Sequence, residues 1–237
     1  MRAAYERLTS ILSDPDECGM SALDCIYEIM ENEVQRRDSN ALARRLKEAK
    51  ICLPNARPDT IDFSIERGLD KNKIDALLTM RWMEEHQNII ITGAAGCGKT
   101  FLACALVNQA CIKGRTARVV RVPLLLNQMA ASHQIVETYF KKLKEMKTID
   151  LLVLDDWGIG QLDARSRQDL LEIINERYMY ASTIVTSVLP VNKWSEYIND
   201  TTYSDAILDR LVSVSHRVEL NGASVRQMKE YGAVLKE

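Results

Sequence analysis

The stretch Asn88-Ile89-Ile90-Ile91-Thr92-Gly93-Ala94-Ala95-Gly96-Cys97-Gly98-Lys99-Thr100 runs an apolar segment into a glycine-rich loop ending Gly-Lys-Thr. Gly93, four intervening residues, then Gly98, Lys99 and Thr100 match the pattern G-x-x-x-x-G-K-[ST]. Glycines let backbone N–H groups close around phosphate oxygens where a β-carbon would obstruct them. In such a loop the lysine ammonium reaches the β- and γ-phosphates and the threonine hydroxyl is offered to Mg2+. Residues 99–112 continue as a helix-compatible run, so the loop also sits at a positive helix N-terminus. Glycine-rich turns between strand and helix occur without nucleotides. The complete pattern in this context implies ATP held by Gly93, Ala94, Ala95, Gly96, Cys97, Gly98, Lys99 and Thr100.

Composition sets the outer limits. With 237 residues, 46% hydrophobic and 27% charged, the chain fits one soluble α/β domain plus a smaller appendage. A net charge of −2 excludes a uniformly basic nucleic-acid coat but not local patches. No apolar run approaches the roughly 20 residues that span a bilayer. The first ten residues are mixed and polar, without a signal-peptide core, so the expected location is cytoplasmic with no membrane partner. None of the six cysteines forms a C-x-x-C pair. Cys97, Cys104 and Cys111 recur every seven residues along one helix side, which suits small apolar packing better than redox or metal chemistry. Cys97 is the exception to watch, since oxidation of a thiol inside the phosphate loop would block binding.

Working outward, residues 1–51 read as a helical N-terminal piece, with Asp14-Pro15-Asp16 breaking a short opening helix. Leu23, Ile26, Tyr27 and Met30 then recur at helical spacing. Arg36, Arg37, Arg44, Arg45, Lys47 and Lys50 make its continuation basic, either a solvated face or a surface for DNA phosphates or a partner. Pro54 and Pro58 mark residues 52–66 as a linker, and 67–237 hold the nucleotide domain. Asp70 is the expected N-cap of one helix over 71–85. Strands are predicted at 89–92, 117–122, 151–155, 183–187 and 217–220. The helices between them are predicted at 99–112, 124–131, 134–146, 166–178 and 205–212. Strands joined by helical crossovers imply an α/β fold with a parallel sheet covered on both faces.

Three further signals carry chemistry. Leu151-Leu152-Val153-Leu154-Asp155-Asp156 reads as a central strand delivering two acids at its carboxyl end, where open α/β sheets bind ligands. Asp155 fits the Mg2+-organising acid of a P-loop enzyme, and Asp156 fits a general base orienting water. Val185-Thr186-Ser187 ends another strand with two hydroxyls, aimed at the γ-phosphate or merely satisfying a strand end. Arg210 sits among apolar helix neighbours, so its guanidinium needs an anion. Candidates are a γ-phosphate on an adjacent subunit or a salt bridge to Asp205 or Asp209.

These residues form an ordered set. After the P-loop come Leu154-Asp155-Asp156-Trp157-Gly158, Asp169-Leu170-Leu171-Glu172-Ile173-Ile174, Glu176-Arg177-Tyr178 and Ser182-Thr183-Ile184-Val185-Thr186-Ser187. The set ends with Asp205-Ala206-Ile207-Leu208-Asp209-Arg210-Leu211-Val212 and Arg217-Val218-Glu219-Leu220-Asn221-Gly222, and extends upstream through 41–50, Arg67-Gly68-Leu69-Asp70 and Trp82. The chain thereby resembles the IstB-like ATPases, transposition helpers of bacterial insertion sequences related to DnaC-type helicase loaders within the AAA+ superfamily. The resemblance implies a five-stranded sheet of order 5-1-4-3-2 and a Walker A loop at residues 93–100. It makes Asp155 and Asp156 the Walker B acids, Ser187 sensor 1 and Arg210 an arginine finger. It further implies an ATPase that forms homo-oligomers on double-stranded DNA and assists a transposase; the alternative partner is a replicative helicase. In that superfamily the segment before Walker B faces a central channel, which here would present Lys141, Lys142, Lys144 and Lys147 to DNA phosphates. An ordinary exposed helix face would carry the same lysines.

The sequence departs from the family pattern in places. Asp156 replaces the usual Glu, Val188 replaces an amide, and Gly222-Ala223-Ser224-Val225-Arg226 lacks the expected Glu. Little chain remains after Leu220 to build a helical lid. A small-molecule P-loop kinase would want an arginine-bearing lid and leaves Arg210 without a role. The short Asp156 keeps open an adaptor that holds ATP with little hydrolysis.

Overall fold

The three central strands of the sheet are buried on both faces, and their side chains alternate between two cores. Ile89 and Ile91 point into one core and Ile90 into the other; Leu151 and Val153 oppose Leu152 and Leu154 in the same way. Near-continuous apolar strands of this kind belong to parallel sheets sandwiched by helices. A computed structural model describes residues 5, 6, 9, 10, 22–222, 224 and 225. The expected helix break at Asp14-Pro15-Asp16 and the end of the chain from Arg226 lie outside the described residues.

The elements follow one another as α1 (Ala22–Glu48), α2 (Lys71–Leu78), α3 (Arg81–Glu84), β1 (Asn88–Gly93), α4 (Lys99–Ile112), β2 (Ala117–Arg121), α5 (Val122–Ser132) and α6 (Val136–Thr148). Then come β3 (Leu151–Trp157), α7 (Ala164–Arg177), β4 (Ser182–Ser187), α8 (Trp194–Ile198), α9 (Thr201–Val212) and β5 (Ser215–Leu220). The sheet order is β2-β3-β4-β1-β5 with every pairing parallel, which is the expected 5-1-4-3-2 arrangement. Helices α2, α3 and α4 and the end of α1 cover one face; α5 to α9 cover the other.

Three differences from the sequence reading have physical causes. The single helix expected over 71–85 stops at Leu78, and Met80 takes a left-handed φ of 65° before α3 begins. Met80 and Trp82 are both buried, whereas an unbroken helix would turn them about 200° apart and leave one in water. The Leu77 carbonyl at the break accepts from Met80 N at 3.1 Å and from the Trp82 indole at 2.9 Å. The second difference is α8, five residues long and too short for a periodic signal, which buries Trp194 and Ile198. Helices α7 and α9 begin earlier than expected because Asp163 and Asp200 cap them, accepting from Ser166 N at 2.7 Å and Tyr203 N at 3.1 Å.

Candidate functional site

The loop between β1 and α4 is gripped from two sides. A β-carbon on Gly96 would strike the Ser224 side chain, and one on Gly98 would come within 2.5 Å of the Arg67 guanidinium. Gly96 and Gly98 also hold φ of 81° and 102°, a region that costs L-residues energy. The Lys99 ammonium lies beneath the loop, donating to the carbonyls of Gly93 at 2.9 Å and Ala94 at 2.8 Å. The neighbouring Thr100 Oγ1 donates to Asp155 Oδ1 at 2.9 Å. The hydroxyl and the acid assigned to Mg2+ therefore meet at the strand ends, 55 positions apart in sequence. Among the described residues no cluster of three or more His, Cys, Asp or Glu could hold a metal alone. Two hard oxygen donors under a phosphate loop fit Mg2+, which keeps waters and substrate phosphates in its shell.

Asp156 reaches its position through a bulge. Leu154 pairs with Val185 but Trp157 with Ser187, so β3 carries one residue more than β4 there. Asp156 holds a φ of 62° in that bulge, a common device beside active sites. Its Oδ2 pairs with Arg121 Nε at 2.6 Å, and this bond raises the Arg121 pKa further. Ser187 is turned away from the acids: fully buried, it donates to the Trp157 carbonyl at 2.8 Å and accepts from Leu189 N at 3.0 Å. Of the two hydroxyls that close β4 it is Thr186 that touches the acids, donating to Asp155 Oδ1 and accepting from Asp156 N at 3.4 Å. Thr186 and Arg121 escaped the residue-by-residue reading. The only signals were the hydroxyl pair closing β4 and a cation at the end of β2.

Residues 52–66 lie against the nucleotide domain. Ala56 and Ile61 are buried in the same core as α4, and Leu53 and Ile65 line a cavity of about 310 Å3 beside Gly98, Lys99 and Thr100. Arg67, 5% exposed, lines the same cavity, and its carbonyl accepts from Asn221 N at 2.8 Å. Phe101 on α4 adds an apolar wall. A cavity of this size beside the loop, part apolar and part cationic, suits a nucleotide.

Arg210 lies at the other end of the sheet. It closes α9, donates from Nη1 to the Ala206 carbonyl at 2.7 Å and sits 5.6 Å from the Tyr178 ring centroid. Among the described residues it pairs with neither Asp205 nor Asp209. Its backbone carbonyl is bonded by the Asn88 side chain at 3.1 Å, and Asn88 begins β1 while the loop begins where β1 ends. Beside it Met179 and Tyr180 are 67% and 78% exposed. The four lysines on α6 divide. Lys147 is paired with Glu176 at 2.5 Å and Lys142 leans on Gln128 at 3.4 Å, while Lys141 and Lys144 are exposed. The basic tail of α1 divides similarly: Arg36 and Arg37 bond Glu33, and Arg45 donates to the Cys111 carbonyl at 2.9 Å. Cys97, Cys104 and Cys111 are buried. Burial pushes Cys111 to about 11, and burial together with the adjacent Cys52 pushes Cys104 to about 12, so both stay protonated packing groups.

The chain is similar to known proteins over most of its length. A family model for IstB-like ATP binding proteins matches residues 1–233. An insertion-sequence ATP-binding protein from Sinorhizobium fredii is 39% identical over 219 residues, covering 92% of this chain and 89% of the relative. An ATP-binding protein in an insertion sequence of Mycobacterium tuberculosis is 29% identical over 211 residues, covering 89% and 83%. Among solved structures, the DnaC helicase loader aligns with a TM-score of 0.59 at 19% identity, over 71% of this chain and 98% of that one. AMPPCP-bound DnaA from Aquifex aeolicus also aligns at 0.59 and 20% identity, over 78% and 56%. These structural likenesses establish the fold, the parallel arrangement that the strand order already displays. The family match spans nearly the whole length: the chain belongs to the IstB-like ATP-binding proteins.

Proposed function

We propose that the chain is a Mg2+-dependent ATPase that binds double-stranded DNA, assembles there with copies of itself and assists a transposase. The observation that carries the ATPase reading is the Thr100–Asp155 contact beneath the glycine loop, with Lys99 alongside. When bound, Mg2+ neutralises charge on the phosphates; Thr100 and Asp155 would hold it. Lys99 would leave the Gly93 and Ala94 carbonyls for the β- and γ-phosphates. Asp156 is the water-orienting base, and its ion pair with Arg121 supports slow turnover until that bond is exchanged. Arg210, placed away from its own loop, supports a role on a neighbouring subunit. Lys141 and Lys144 are the exposed cations for sequence-independent phosphate contact. No helix among the described residues is long and apolar enough to cross a membrane, which accords with action on cytoplasmic DNA.

Leu23, Ile26, Tyr27, Met30 and Val34 form an exposed apolar stripe on α1, a surface suited to a protein partner. The insertion-sequence relatives favour a transposase there over a replicative helicase. The direct test measures ATP turnover with Mg2+, with and without duplex DNA, alongside particle mass. Turnover that rises with DNA, together with a mass above the monomer, supports the reading. No turnover under either condition would leave only a nucleotide-holding adaptor.

A further inference from the structure

Arg67 is a buried cation that the chemistry above does not use. It is 5% exposed, and its Nη2 donates to the Asp62 carbonyl at 2.9 Å. Its Nη1 reaches the Cys97 carbonyl at a long 3.4 Å, and its buried Nε finds no partner among the described residues. A guanidinium carries five N–H donors, so most of its capacity is unspent. No carboxylate lies within ion-pair distance of it among the described residues. Burial accordingly pushes its pKa down, offset in part by the field of Asp62. Keeping a charge out of water without a counter-charge is expensive.

The cavity that Arg67 lines is the one beside Gly98, Lys99 and Thr100. The guanidinium lies so close to Gly98 that a β-carbon there would meet Nη1 at 2.5 Å. Its backbone is pinned to the end of β5, through Asn221 N and through Gly222, where a β-carbon would stand 2.8 Å from the Glu66 carbonyl. The side chain is thus delivered to the loop by a fixed segment of the same chain.

We infer that Arg67 binds the phosphates of the nucleotide from within its own subunit, as a second cation beside Lys99. The counter-charge that the described residues do not supply is the polyphosphate itself. This inference rests on the proposed ATP site and adds to it a residue outside the loop pattern. Unlike Arg210, Arg67 serves its own chain, so its contribution is present in the monomer.

The test titrates ATP into the full chain by calorimetry over a range of salt concentrations, comparing wild type with Arg67→Gln and Arg67→Lys, with thermal melting alongside. Glutamine retains a donor for the Asp62 carbonyl but no charge. Arg67→Gln should raise the Kd for ATP about 10- to 100-fold, the size of one lost charge-assisted hydrogen bond. It should also flatten the dependence of Kd on salt, because one cation fewer meets the phosphates. Arg67→Lys should recover part of both effects, a point charge being a poorer match than a planar fork. Wild-type affinity in Arg67→Gln would overturn the inference. So would weakened binding with an unchanged salt slope, which marks a strut for the cavity wall. A wild-type chain that binds no ATP would instead overturn the ATP reading itself.

Discussion

The two ends of β1 differ in how they hold their charged groups. At its carboxyl end Lys99, Thr100, Asp155 and Thr186 are tied to one another or to the loop by short hydrogen bonds. At its amino end Arg210 has one helix carbonyl and the face of Tyr178, beside the exposed Met179 and Tyr180. Six strand residues at about 3.3 Å each put roughly 16 Å between the ends, beyond any arginine side chain. The first end gathers the loop lysine, the acids and Thr100 around a cavity; the second is a cation with no anionic partner among the described residues. The proposal that each meets the other across two copies is the account's central claim.

The largest expected effect lies at the carboxyl end. Lys99→Ala should abolish ATP binding in the isolated chain, measured by calorimetry, because it removes the mobile cation beneath the loop. Retained affinity would break the contrast at once. Asp156→Asn should keep ATP but slow hydrolysis by about 10²-fold or more, the range of a lost acid–base group. An unchanged rate in a steady-state assay would move the base elsewhere. The smallest effect belongs to neither end. Replacing Lys141, Lys142 and Lys144 together with Ala should weaken DNA binding about tenfold for every sequence and flatten its salt slope, read by fluorescence anisotropy. Wild-type binding by this variant would point instead to the cations of α1.

The same contrast separates what was legible in the sequence from what was not. The loop and Asp155 were readable because each is local: spacing within the loop is its chemistry, and an apolar run announces the strand that carries the acid. The strand order followed from the family resemblance and matches the sheet. The contacts of Arg67 with Cys97, Thr186 with Asp155 and Arg121 with Asp156 join residues 30 to 35 positions apart, where no short pattern reaches. Ser187 shows the limit of carrying a role across by position: alternation along β4 puts it and Thr186 on opposite sides, and the bulge in β3 decides which hydroxyl meets the acids. Met80 and Trp82 show another limit, since helix spacing over 71–85 gave no sign that both must be buried.

The most direct test mixes two defective proteins. Arg210→Ala keeps an intact loop but donates no cation to a neighbour. Lys99→Ala cannot use its own loop but still carries Arg210. Each alone should hydrolyse ATP poorly. Their mixture, with co-assembly verified by mass, should recover part of the wild-type ATPase rate, because some loops then face an intact Arg210 from the next subunit. A co-assembled mixture with no recovery would contradict the account and leave Arg210 as a residue that serves only its own helix.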